Sequence, residues 1–199
     1  LNALPFLEEL GASVTVVGVD GDGRVDPGAV EAALRSDTRV VSVMAANNET
    51  GTLEPVAEIG RLASARGAVM HADAVQLLGK APLRLDALPV DLVSVSSHKI
   101  HGPKGVAGLF VRKGTALEPL LRGGSQEGGL RAGTENVAAA VGFALAVELA
   151  EAEREGLMSR LGRLRDLLRR EILSRFPDAL VNTPASGALA TILNVSFPW

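Results

Sequence analysis

The chain has 199 residues, 47% of them hydrophobic and 22% charged, with a net charge of −3. This is the composition of a folded globular protein, and the dispersed positive charge gives a nucleic-acid role little support. Zero cysteines exclude disulfides, thiolate metal sites and a cysteine nucleophile within this chain, and no apolar run approaches the length of a membrane span.

Residues 1–10 read as the end of a helix that Gly11 stops. Apolar, β-branched runs at 14–19, 40–45 and 92–95, with a shorter run at 68–72, read as buried parallel strands of an α/β sheet. Asp26 as N-cap and Pro27 in the first helical position start a helix that reaches Leu34. Residues 55–66 form the next helix, ended by Gly67. Residues 108–111 are a last short strand; the tight Gly/Pro loop before it suits an antiparallel return.

From 135 to 176 the pattern is helical and free of proline, a length of roughly 60 Å. Its first half, 137–149, is apolar on nearly every side and is expected to be buried. Its second half draws one stripe of Leu157, Leu161, Leu164, Leu168 and Ile172. Such a helix suits a connector between two domains, with Gly156 and Gly162 as points where it could kink. Pro177 and Asp178 break it, and 190–197 reads as the first strand of a second domain. The chain begins without methionine and both ends read as cut; with no basic n-region or cleavage site, the expected compartment is the cytoplasm.

Polar residues gather just past the expected strands. Asn47-Asn48-Glu49-Thr50-Gly51 follows the run at 40–45, Asp73 and Gln76 follow 68–72, and Ser96, His98 and Lys99 follow 92–95. Ligands of open α/β sheets bind outside the carboxyl ends of strands, so three clusters at one edge point to a site. A lysine amine and a carboxylate there suit pyridoxal 5'-phosphate (PLP): the amine takes the aldehyde, and the acid keeps the pyridine nitrogen protonated as an electron sink. Ser96 and His98, as alternate residues of an extended face, could hold the phosphate; Gln76 and Asn48 could donate to the phenolic oxygen.

Each residue also has a plain structural reading. Lys99 could be a solvated loop lysine, Asp73 a helix N-cap, Asn47-Asn48 a turn pair, and Ser96 a partner for backbone only. His71 is expected to face the sheet or a neighbour without a direct role, and His101 to be a loop residue. Three histidines without paired spacing make no metal site. The glycine-rich stretch 123–129 lacks the Gly-Lys-Ser/Thr close of a P-loop; it reads as a mobile loop, with Arg131 and Thr134 as anion donors before the long helix.

Four segments together resemble a known family: Asn47-Asn48-Glu49-Thr50-Gly51; His71-Ala72-Asp73-Ala74-Val75-Gln76; Ser96-Ser97-His98-Lys99-Ile100-His101-Gly102-Pro103-Lys104-Gly105; and 123–136, which reads Gly-Gly-Ser-Gln-Glu-Gly-Gly-Leu-Arg-Ala-Gly-Thr-Glu-Asn. They are similar to cysteine desulfurases of the nitrogen-fixation and iron–sulfur-assembly type, within the class V aminotransferase group of fold-type I PLP enzymes. The resemblance covers nearly the whole chain, and the segment at 123–136 is what favours desulfurases over other class V members.

The resemblance implies a PLP-dependent transferase-like large domain with a mostly parallel sheet over 1–135. It implies a connecting helix over 136–176, and the beginning of a small C-terminal α+β domain over 177–199. It implies that Lys99 is the Schiff-base lysine, that Asp73 pairs with the pyridine nitrogen, and that Gln76 contacts the phenolic oxygen. Asn48 would lie near that oxygen and the substrate carboxylate, Ser96 and His98 would bind the phosphate, and Thr134 would reach the phosphate of the partner subunit in a homodimer. The implied reaction takes sulfur from L-cysteine, leaves alanine, and passes the sulfur through a protein persulfide to an acceptor or scaffold protein. Family enzymes carry further parts before Leu1: a phosphate-binding loop, a ring-stacking histidine, and strands that include one between 14–19 and 40–45. After Trp199 they carry the catalytic cysteine and a substrate-binding arginine. This chain alone is therefore expected to be inactive. Two other readings remain: another class V enzyme, such as a selenocysteine lyase or an aminotransferase, and a truncated, non-catalytic homologue.

Overall fold

The computed structural model describes residues 4–198. Helix α1 spans Leu4–Glu9, and Gly11, at φ +85°, closes it with N–H bonds from Gly11 to Glu8 and from Ala12 to Leu7. The start of that helix at residues 1–3 lies outside the described residues. Helix α2, Pro27–Ala33, begins as its sequence dictates: Asp26 Oδ1 accepts from the Gly28 N–H at 2.9 Å, and Pro27 withholds no needed donor.

Four strands form the main sheet in the order β1 (Val40–Met44), β2 (Val69–Asp73), β3 (Leu92–Ser96), β4 (Ala107–Val111). The first three are parallel and β4 returns antiparallel to β3, as its short loop requires. Helix α3, Val56–Ala65, carries the crossover from β1 to β2 and buries Val56, Ile59, Gly60 and Ala63, the i, i+3, i+4, i+7 face. That face and Val30 of α2 pack on Met70, Ala72 and Val93, with Val41 and Val43 at the margin. The register places Ser42, His71, Asp73, Ser94 and Ser96 on the opposite face.

Several expectations need correction. Residues 14–19 run extended but form no ladder; one isolated bridge, Val19 to Val25, is all that pairs there. A strand is made by its neighbour as much as by its residues, and among the described residues no strand pairs along this run. The expected strand at 190–197 shrinks to β6, Val195–Ser196, paired antiparallel with β5, Leu180–Val181. Residues 190–194 instead turn and bind elsewhere: the Ile192 N–H reaches Leu189, and Asn194 takes up Thr183 and Asn182.

The long helix α4 spans Val137–Arg175, 39 residues, and continues through Gly156 and Gly162 without a break. Asn136 caps it, its Oδ1 accepting from the Ala139 N–H at 3.1 Å. Burial of its first half was the wrong expectation: Ala139 is its one buried residue, while Val137, Val141, Leu145 and Leu149 are exposed. The reason is the other side of the same turns. Gly142, Ala146 and Ala150 form a small-residue stripe that receives Pro103, Gly102 and Gly79, so the helix meets the sheet's loops through its smallest side chains. Of the leucine stripe in the second half, Leu161 and Ile172 are half-buried and Leu157, Leu164 and Leu168 are exposed. Gly162 and Arg165 form the docking side instead, Arg165 Nη1 donating to the Leu189 carbonyl at 3.2 Å.

Candidate active site

Strands β1, β2 and β3 are parallel, so their carboxyl ends share one edge, and the three polar clusters meet there. A cavity of about 170 Å³ lies at this edge, lined by Asn48, Asp73, Gln76 and Lys99 together with Met44, Ala46 and Val75. Four of the seven expected site residues are thus brought together.

The turn after β1 divides labour between its two asparagines. Asn47 Oδ1 accepts from the Glu49 and Thr50 N–H groups at 2.8 and 3.0 Å, which builds the turn. Asn48 is left to line the cavity. Asp73 ties one oxygen to the turn that follows β2 and leaves the other unbonded. Its Oδ1 accepts from the Val75 N–H at 3.0 Å as a cap, and its Oδ2 has no hydrogen-bond partner among the described residues.

Lys99 sits on a single 3-10 turn, Ser97–Ile100, directly after β3. The turn is anchored by buried Ser97 and Ile100 and closed by His101, whose φ of 64° is left-handed. The Lys99 amine makes no hydrogen bond or ion pair among the described residues. This turn corrects the picture of Ser96 and His98 as neighbours on an extended face. They meet because the chain coils: Ser96 Oγ and His98 Nδ1 are 2.8 Å apart. A neutral imidazole leaves this pair one outward donor in either tautomer, the His98 Nε2–H or the Ser96 hydroxyl, and protonation gives it both. Neither residue lines the cavity. Thr134 is exposed in the loop before α4 and does not line it either.

Two polar residues carry more than their sequence suggested. His71 is pinned across three strands, its Nδ1 2.8 Å from Ser42 Oγ and its Nε2 2.8 Å from Ser94 Oγ. Burial pushes its pKa below the ordinary histidine value, against an opposing pull from Asp73. Lys80, absent from the sequence reading, donates to Gln76 Oε1 at 2.7 Å. Burial, and then the charge of Lys99, hold its pKa below the ordinary lysine range. Its position four residues after Gln76 was the available signal, since one helical turn brings such a pair together.

A larger cavity of about 410 Å³ lies at the opposite end of the strands, beside Asp91, Arg112 and Thr115. Two of its charged groups, Arg112 and Asp91, are tied to backbone, while Lys113 also lines it. Arg112 donates to the carbonyls of Val90, Leu85 and Leu88, and Asp91 accepts from the Met70 N–H. In the smaller cavity an unengaged amine, an unengaged carboxylate oxygen and two carboxamides share one space. That donor set fits PLP, which needs an amine for its aldehyde, an anion for its ring nitrogen and donors for its phenolic oxygen.

Fold and site together define a class of protein. The aminotransferase class-V family profile matches residues 2–198, and the chain belongs to that family. Its enzymes are PLP-dependent, and the architecture is that of fold type I, a mostly parallel α/β sheet followed by a long helix. Within the family, the chain is 47% identical over its whole length to the cysteine desulfurase IscS of Dictyoglomus turgidum (strain DSM 6724 / Z-1310) and 44% identical to a cysteine desulfurase of Trichormus azollae. It covers 50% of each of these relatives, so the chain spans about half the length of the curated relatives it matches. A solved NifS-like protein superposes with a TM-score of 0.94 at 41% identity, over 99% of this chain and 54% of that one. DndA from Streptomyces lividans superposes with a TM-score of 0.91 at 36% identity, over 98% and 56%.

Proposed function

We propose that this chain carries the cofactor-anchoring residues of a PLP-dependent cysteine desulfurase, which converts L-cysteine to L-alanine and passes the sulfur to an acceptor or scaffold protein for iron–sulfur or thiolated-cofactor assembly. The observation that carries the reading is the meeting of Lys99, Asp73, Gln76 and Asn48 around one cavity at the carboxyl edge of the sheet. The relatives named as cysteine desulfurases support that reaction over others of the family. Bound PLP supplies the electron sink that lets bonds at an amino acid's α and β carbons break.

The chain's own residues bind and hold protons. Lys99 offers its unengaged amine as the covalent anchor and as the base that moves a proton beside it. Asp73 would hold a protonated ring nitrogen with Oδ2, the oxygen left unbonded while Oδ1 stays on the Val75 N–H. Gln76 and Asn48 would donate to the phenolic oxygen, and Asn48 would also serve the substrate carboxylate. The Ser96–His98 pair gives the phosphate its outward donor. Thr134, exposed and away from its own chain's cavity, serves the phosphate of a partner subunit in a homodimer. The proposed compartment is the cytoplasm; among the described residues no helix is long and apolar enough to cross a membrane.

Borohydride reduction of the PLP-loaded chain, followed by peptide mass mapping, tests the reading. The cofactor is expected on Lys99 and nowhere else. A label on Lys80 or Lys104 with Lys99 unmodified would overturn the assignment.

A further inference from the structure

We propose that Lys80 is a positioning residue that fixes which end of the Gln76 carboxamide faces the cofactor cavity; the inference rests on the reading of Gln76 as a cofactor contact. A carboxamide is an acceptor at one end and a double donor at the other, and half a turn about its last bond exchanges them. An ammonium has three donors and no acceptor, so only the oxygen of Gln76 can face Lys80 Nζ, 2.7 Å away. The Nε2 donors are then left for the cavity that Gln76 lines. That is the end an anionic phenolic oxygen needs. Without the ammonium both orientations are open, and one of them turns lone pairs toward that anion.

A surface-lysine reading does not account for Lys80. It is half-buried, forms no ion pair with a carboxylate among the described residues, and has Gln76 as its hydrogen-bond acceptor. Both burial and the neighbouring Lys99 charge work against its own charge. An ammonium is kept in such a place by what it holds. Lys80 is not among the residues lining the cavity, so it acts through Gln76 and not on the cofactor.

The backbone builds the pair on purpose-made geometry. Residues 74–80 form a tight turn, with N–H bonds from Leu77 and Leu78 to the Ala74 carbonyl and from Lys80 to Leu77. That turn sets Gln76 and Lys80 on one side. Gly79, at φ +70°, then lets it sit directly on the Lys99 turn: a Cβ there would lie 2.9 Å from both Ile100 Cγ2 and Ala150 Cβ. Gln76, Lys80 and Lys99 are therefore held as one unit.

The experiment compares the full chain with its K80M, K80R, Q76A and K80M/Q76A variants. PLP dissociation constants are read by fluorescence titration. The side-chain amide signals of Gln76 are read by NMR on the cofactor-free protein. K80M is expected to weaken PLP binding about 10-fold, the worth of one good hydrogen bond, and K80R to recover most of it. The double variant should bind no worse than Q76A alone, because Lys80 acts through Gln76. Without cofactor, the Gln76 amide should be ordered in the parent and averaged in K80M. An unchanged amide signal in K80M overturns the inference, even if loading is too weak to titrate. So does a loss in K80M that adds in full to that of Q76A. If Q76A loses affinity and K80M does not, the inference alone fails. If Q76A binds as the parent does, the reading of Gln76 fails and takes the inference with it.

Discussion

Asp73 gives one oxygen to the Val75 N–H and leaves the other unbonded among the described residues, and the proposed division between folding and chemistry can be tested. Asn in its place keeps an oxygen for the Val75 N–H and loses the charge. D73N is expected to leave the urea midpoint nearly unchanged while weakening PLP binding roughly 10- to 100-fold, the worth of a charge-assisted hydrogen bond. Equal losses in folding and binding would mean that the cap is the whole of its role. His71 sets a second test. Its pKa is lowered by burial, so between its native value and the ordinary value of about 6.5 the unfolded chain binds the proton more readily. Stability from this group is full above that ordinary value and is lost as pH falls through the window. Between about pH 7.5 and about pH 5.5 the parent should lose more urea stability than H71N, although H71N starts lower by about 1 kcal/mol for the lost hydrogen bond to the half-buried Ser94. At this scale Lys99 and Asp73 were legible because each follows an apolar run. Lys80 was not, because its meaning lies in a single 2.7 Å bond to a residue one turn away.

Elements were legible where the local chain makes them. The Asp26-Pro27 start of α2 and the glycine stops after α1 and α3 need only their own neighbours. The run at 14–19 has strand residues but no ladder, because a strand also needs a partner chain at hydrogen-bonding distance. Helix α4 was legible in length and not in orientation. Its apolar residues surround the first half, and packing chose the small stripe of Gly142, Ala146 and Ala150 over the larger Val137, Val141 and Leu145. Gly60 gives the element-scale prediction. Glycine within a helix costs about 0.5–1 kcal/mol against alanine, so propensity alone has G60A stabilising. A Cβ at Gly60 would overlap the Pro89 carbonyl oxygen, which is backbone and cannot rotate away. G60A is therefore expected to destabilise by about 2 kcal/mol, and the sign of its shift in urea midpoint decides between propensity and packing.

Across the whole molecule, the segment after α4 is tied back to the site's own loop. The Leu53 N–H reaches Gly187 and the Leu189 N–H reaches Gly51, both at 2.8 Å, while Asn194 Nδ2 donates to the Glu49 carbonyl at 3.3 Å. These bonds begin within a few residues of Asn48, so the proposed cofactor site and the chain's closure share one loop. Anchoring and sulfur transfer, however, need different residues. The proposed anchor is an amine and a carboxylate, Lys99 and Asp73; a persulfide needs a thiol, and the 199 residues contain no cysteine. The two steps should therefore separate. Given PLP and L-cysteine, the chain is expected to hold the cofactor on Lys99 and to show a change in cofactor absorbance as substrate binds. It should release no alanine or sulfide above a K99A control. Assaying both products in parallel with the borohydride label distinguishes the outcomes. Alanine above the control would mean that sulfur leaves the substrate without a protein thiol, and the persulfide step would have to be abandoned for this chain. A label without turnover is the outcome the separation of the two steps requires.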